Sequence, residues 1–252
     1  MVVSNRIALI FGFITLHLVT LRPCAAESNW SLDLEIGAVI SGYNDVRIPG
    51  NTGTLFSLCE DLETDPAIFG RLRLGCEFGG RHAISLLIAP LRLRAEGTLN
   101  RSVDFEGVLF PSGTFAEGFY RFDSYRLTYR YDFHRSATLR AGAGLTAKIR
   151  DAEIRLKGEG RETKKVNTGF VPLLNFQLAW CWSRNLALIF SGDALAAPQG
   201  RAEDISLVLA YQISSKVQLK GGYRLLEGGA NNDEVYSFAL LHYILVGAGI
   251  RL

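Results

Sequence analysis

The stretch YRLTYRYDFHRSATLRAGAGLTAKIR, Tyr125–Arg150, decides how the chain is read. In its first arm Tyr125, Leu127, Tyr129, Tyr131 and Phe133 alternate with Arg126, Thr128, Arg130 and Asp132. After His134-Arg135-Ser136, the second arm sets Ala137, Leu139, Ala141, Ala143, Leu145 and Ala147 against Thr138, Arg140, Gly142, Gly144, Thr146, Lys148 and Arg150. Successive side chains of a strand point to opposite faces. The stretch therefore predicts a hairpin with one oily face and one face of charges and small residues.

The same two-faced pattern recurs on both sides of it. Trp30–Ser41 sets Trp30, Leu32, Leu34, Ile36, Ala38 and Ile40 against Asp33 and Glu35. Ile68–Phe78 sets Leu72, Leu74, Cys76 and Phe78 against Arg71, Arg73 and Glu77. Leu174–Trp182, Leu186–Asp193, Ile205–Gln212, Val217–Leu225 and Tyr236–Leu252 follow, with Asp193, Lys220 and Arg224 on the polar side. One segment changes phase. In Ala83–Leu99 the apolar residues are Ile84, Leu86 and Ile88, then Leu91, Leu93 and Ala95. Pro90 stands at the change, and a proline in a ladder is tolerated at a bulge that swaps faces. The reading predicts a β-bulge at Ala89–Pro90, with Arg92 and Arg94 on the same face as the other charges.

The connections alternate. Short turns such as Gly79-Gly80-Arg81 and Ser183-Arg184-Asn185 are followed by long ones, over Tyr43–Ala67, Asn100–Phe115, Asp151–Lys165, Ala196–Ala202 and Glu227–Glu234. Within these, Val103–Phe110 and Glu153–Lys157 keep some alternation, which predicts strands running on as hairpins. About ten strands, short turns at one end and long loops at the other describe an all-β, single antiparallel up-and-down barrel that crosses a membrane; eight or twelve strands are the alternatives. A soluble secreted β-barrel binding protein is the rival, because period two does not say which face is dry. Aromatics near strand ends (Trp30, Tyr131, Phe133, Trp180, Trp182, Tyr211) and glycines between long charged residues favour the membrane.

The N-terminus fits that destination. Arg6 is followed by the apolar run Ile7–Leu21 and by small residues at Cys24-Ala25-Ala26, so residues 1–26 read as a cleaved secretion signal and 27–252 as the barrel domain. Removing Arg6 and Arg22 from 27 basic residues leaves 25 against 25 acidic ones, which leaves no electrostatic footprint for nucleic acid. Cys59, Cys76 and Cys181 are too widely spaced for a disulfide framework or a zinc site and read as isolated thiols.

On the Tyr125–Arg150 pattern and its repeats, the mature chain resembles small bacterial outer-membrane β-barrel proteins in general. It carries no specific family motif, and its last residue, Leu252, departs from their usual terminal aromatic. The resemblance implies both termini in the periplasm, long loops outside the cell, outer-membrane lipid and lipopolysaccharide around the barrel, and the barrel-assembly machinery as a partner.

Asp33, Glu35, Arg71, Arg73, Glu77, Arg92, Arg94, Arg126, Arg130, Asp132, Arg140, Lys148, Asp193, Lys220 and Arg224 are the candidate lumen-lining residues. A cation at the bilayer midplane on the lipid side costs ~2–4 kcal/mol, so enclosure is where such residues belong. They predict either an ion-pair network filling the barrel or a narrow, porin-like conduit that favours anions, since bases outnumber acids among them. Catalysis, cofactor and metal are not expected. His82 and His134 fall at short turns, and His242 faces lipid without a serine or acid beside it. The remaining enzymatic alternative is a barrel enzyme acting on lipid or peptide at the rim. Asp45, Asp61, Asp151, Glu153, Glu203, Asp204 and Asn231-Asn232-Asp233 read as a solvated outer rim without regular calcium-loop spacing. Arg161, Lys164 and Lys165 are positioned to touch lipopolysaccharide phosphates.

Overall fold

The computed structural model describes residues 29–252, so the expected signal at 1–26 lies outside the described residues. Its strands are β1 (Asn29–Arg47), β2 (Phe56–Ser57), β3 (Glu63–Thr64), β4 (Ala67–Phe78), β5 (His82–Ala89), β6 (Arg92–Thr98), β7 (Val103–Phe105), β8 (Val108–Phe110), β9 (Phe115–Arg135), β10 (Leu139–Gly158), β11 (Arg161–Cys181), β12 (Leu186–Ala197), β13 (Gly200–Gln212), β14 (Val217–Asn231) and β15 (Tyr236–Arg251). Each barrel strand pairs antiparallel with its neighbours in sequence, with β5 and β6 forming one interrupted strand against β9. β1 pairs with β15 from Ser31↔Arg251 to Arg47↔Tyr236, which closes a ten-stranded barrel.

The oily face points outward. Leu127, Leu145, Leu178 and Ile244 are exposed to the surroundings, as are Trp30, Tyr131, Phe133, Trp180, Trp182 and Tyr211 near the short-turn end. Closure pairs every strand with two neighbours along most of this belt, and the opposite face is enclosed. Strands of 12 to 21 residues exceed the ~9–11 needed to cross a bilayer at a tilt. The excess stands at the long-loop end. There the predicted loop Asp151–Lys165 is the top of the β10–β11 hairpin, which turns at Glu159-Gly160 with φ of 48° and 75°. Two successive positive φ values are the type I′ turn that suits strand twist. Ala196–Ala202 is likewise mostly strand, paired down to Ala197↔Gly200. Val103–Phe110 forms the β7–β8 hairpin, but as a two-stranded sheet of its own and not as the expected continuation of the barrel strands, which end at Thr98 and resume at Phe115.

The interior has two halves. Toward the short-turn end it is charged. Toward the long-loop end it is apolar: Val39, Phe69, Leu91, Leu93, Tyr243 and Leu245 belong to one buried cluster. Ile48, Phe56, Leu58 and Leu62 from the connection after β1 join that cluster, and so do Phe105 and Phe110 of the β7–β8 hairpin. The first long loop and the hairpin thus form a cap whose core is continuous with the upper barrel.

This apolar half corrects the reading of β5 and β6. Ala89 pairs with Ser124 and Arg92 with Arg121, so the register against β9 runs through Pro90 without a shift. There is no β-bulge. Faces do not swap; the polarity of each face does. Leu87, Ala89, Leu91, Leu93 and Ala95 are all buried on the inner side, while Arg92 and Arg94 are exposed on the outer wall. Arg92 forms an ion pair there with Asp123, whose Oδ1 also accepts a hydrogen bond from Leu91 N at 3.2 Å. The strand leaves the apolar belt at Pro90, so outside becomes the wet face and inside the dry one. Bulges do occur elsewhere, between Ser41 and Tyr43 and opposite Ala141–Ala143.

Candidate functional site within the barrel

Period two delivers most of the predicted charges to one enclosed place. Glu35 of β1, Arg71 of β4, Arg126 of β9, Asp193 of β12, Asp204 of β13 and Arg224 of β14 all project inward at mid-barrel and are buried. Asp204 Oδ2 lies 3.1 Å from Arg71 Nη2 and 2.6 Å from Arg126 Nη2, and its Oδ1 lies 2.6 Å from Arg224 Nη1. Glu35 Oε2 closes the ring at 2.8 Å from Arg224 and 3.5 Å from Arg71. Asp193 accepts from Arg126 at 2.7 Å, Thr146 at 2.7 Å and Asn175 at 2.8 Å. Lys220 Nζ bridges Asp33 at 2.5 Å and Glu35 at 3.0 Å. Buried charges persist when paired and hydrogen-bonded in this way.

Glycine makes room for the long side chains. A methyl group on Gly247 would sit 2.7 Å from Lys220 Cε, and one on Gly142 would sit 3.0 Å from Arg130 Cδ. Nearer the short-turn end Asp132 pairs with both Arg130 and Arg140, and Arg140 reaches Glu77 at 2.6 Å. Arg73 has Ser85 Oγ at 3.0 Å and, among the described residues, no carboxylate within 4 Å. Lys148 is also inward and buried, above the ring, 4.7 Å from the centre of the Phe122 ring. Thirteen of the fifteen predicted lumen residues therefore face in; Arg92 and Arg94 do not.

Asp204 is the central acid that sequence reading places at the outer rim. Its parity with Ser206 and Val208, inward residues of the same strand, is the signal that carries it inside. With Asp204 counted and the two arginines removed, the interior holds Asp33, Glu35, Glu77, Asp132, Asp193 and Asp204 against Arg71, Arg73, Arg126, Arg130, Arg140, Lys148, Lys220 and Arg224. Among these the surplus of positive charge on which an anion conduit would rest shrinks to Arg73 and Lys148, with Arg150 a further cation toward the long-loop end.

The lumen is interrupted at its middle. A cavity of about 240 Å³, lined among others by Asp33, Arg73, Arg130, Gln177 and Lys220, lies on the short-turn side. A second, of about 360 Å³, lies toward the long-loop end. Between them Phe69, Arg71, Leu91, Arg126, Leu226 and Tyr243 enclose a void of about 10 Å³, barely the space of one water. Phe69 and Tyr243 meet edge-to-face there, with centres 4.8 Å apart.

The histidines stand apart from this site. His82 Nδ1 shares a hydrogen bond with Tyr129 Oη at 2.9 Å. His242, on the outer wall, faces Tyr223 Oη at 2.5 Å. Cys59, Cys76 and Cys181 are free thiols, and burial pushes the Cys59 thiol pKa up, away from reactivity.

A closed antiparallel barrel with an oily exterior, an ionised core and long hairpins at one end has the fold of outer-membrane β-barrel proteins. Among solved structures the chain is similar to the outer membrane protease OmpT of Escherichia coli, with a TM-score of 0.54 at 9% identity over 89% of this chain and 97% of that one. It is also similar to the translocator domain of autotransporter NalP of Neisseria meningitidis (TM-score 0.42, 13% identity, 89% and 88% covered). A third is the attachment invasion locus protein Ail of Yersinia pestis (TM-score 0.39, 12% identity, 88% and 99% covered). No protein family and no curated protein matches the sequence.

Proposed function

We propose that this chain is an integral protein of a bacterial outer membrane, with both termini and the short turns in the periplasm and the long hairpins at the cell surface. Its lumen is sealed, it is not an enzyme, and it acts through its surface cap and hairpin wall as a structural and surface-binding barrel. The observation that carries the reading is the seal: a ring of paired ions under a layer of packed apolar side chains, enclosing at mid-barrel a void of about 10 Å³. The absence of catalysis is supported by the histidines, which among the described residues have no carboxylate within 4 Å. Lys164 is exposed on the β10–β11 hairpin and free to meet lipopolysaccharide phosphates, whereas Arg161 donates to Leu109 O at 2.7 Å and Lys165 is paired with Glu106 at 3.0 Å. The barrel would reach its place through the assembly machinery that handles proteins of this fold.

Reconstitution into planar bilayers tests the seal. The expected record has no discrete conductance steps. Anion-selective steps would instead support a narrow pore, the reading for which the unpaired Arg73 and Lys148 speak.

A further inference from the structure

The barrel wall has a gap at one height. β11 and β12 are paired from Cys181↔Ala187 up to Leu174↔Ala194 and no further. Above that level β11 stays with β10, and β12 stays with β13. The gap opens at the level of Leu174, opposite Leu145, and runs up through the upper part of the apolar belt past Ile149 and Phe170, beyond which Asp151 and Thr168 follow. Behind the gap is the cavity of about 360 Å³, with Phe170, Leu195, Ala197, Ile154 and Leu226 among its walls.

The same cavity, which Glu203, Glu227 and Glu234 also line, holds two cations that none of these carboxylates reaches within 4 Å. Among the described residues Lys148 has no carboxylate within 4 Å and no hydrogen bond, although it is only 4% exposed. Arg150 bonds to Asn167, has no carboxylate within 4 Å, and its buried Nε lacks a partner. Unpaired buried charge is costly unless something of opposite sign arrives. Arg201 and Lys165, also on this wall, are already occupied by Glu227 and Glu106.

We propose that the gap between β11 and β12 admits an amphiphile with an anionic head group from the membrane. The head is held by Lys148 and Arg150, and the hydrocarbon passes out between the strands against Phe170 and Leu195. The site is independent of whether the lumen conducts.

The test uses the full barrel folded in non-ionic detergent and cis-parinarate, a fatty acid that brightens in apolar surroundings. The expected result is saturable one-to-one binding, weakened about tenfold or more in Lys148→Met and in Arg150→Gln, the loss that follows when a charge-assisted contact goes. Ala152→Trp, which fills the cavity, abolishes it. Heat-dependent gel mobility certifies that each variant is folded. Methyl parinarate, which lacks the charge, binds at least as weakly as the acid binds to Lys148→Met. The proposal is overturned by the absence of saturable binding, by variants that bind like the wild type, or by an ester that binds like the acid. Competition by inorganic phosphate as strong as that by unlabelled fatty acid would reassign the site to a free anion and also overturn it.

Discussion

Three guanidinium groups converge on Asp204, and none of the four side chains is more than a few per cent exposed. Asn at this position keeps the shape and removes the charge, leaving Arg71, Arg126 and Arg224 facing one another. Asp204→Asn is expected to destabilise the folded barrel by ~3–5 kcal/mol, the usual cost of breaking a buried pair. Urea unfolding of protein reconstituted in lipid vesicles reads this directly. Adding Arg126→Met to the same chain should recover part of the loss, because one uncompensated cation goes; a further loss would mean the ring is not a charge-balanced unit. Residue identity alone is a poor guide here. Asp204 follows Glu203 in what reads as a rim, yet Glu203 is half-buried beside the cavity at the long-loop end and Asp204 stands at the centre of the ring. One step along a strand separates the two environments.

At the scale of the strand, the sequence carries the alternation faithfully, but a change of phase in it has two physical causes. A bulge rotates the chain and keeps each face's chemistry. Leaving the bilayer keeps the chain's rotation and exchanges the chemistry of the faces. The pattern Ile84, Leu86, Ile88, then Leu91, Leu93, Ala95 is identical in both cases, and only the register with β9 separates them. The same inversion occurs on β10, where outward Leu145, Ala147 and Ile149 give way to Asp151 and Glu153 while inward Ile154 and Leu156 are buried. Thiol labelling distinguishes the causes. With Cys59, Cys76 and Cys181 replaced by alanine, Arg94→Cys in intact vesicles should react with a membrane-impermeant maleimide and Leu93→Cys should stay protected. A reversed pair of reactivities would restore the bulge.

At the scale of the molecule, closure, enclosure of charge and the oily exterior follow from period two with alternating turns, and they are legible in the sequence. The cap is not. Phe56 and Leu58 lie in a segment without a continuous pattern, the alternation of Val103–Phe110 does not say where Phe105 and Phe110 dock, and only the fold brings the four over the barrel mouth. The gap beside β11 is equally hidden, since a strand's own sequence does not say where its partner stops. What every part depends on is the orientation of the wall: lipid outside, ion pairs inside. Leu145, 64% exposed at mid-belt, reports on it best. A nitroxide attached at Leu145→Cys, in the same cysteine-free background in lipid vesicles, should relax strongly with oxygen and hardly with a water-soluble nickel chelate. Strong relaxation by the chelate and weak relaxation by oxygen would place that face in water and contradict the account.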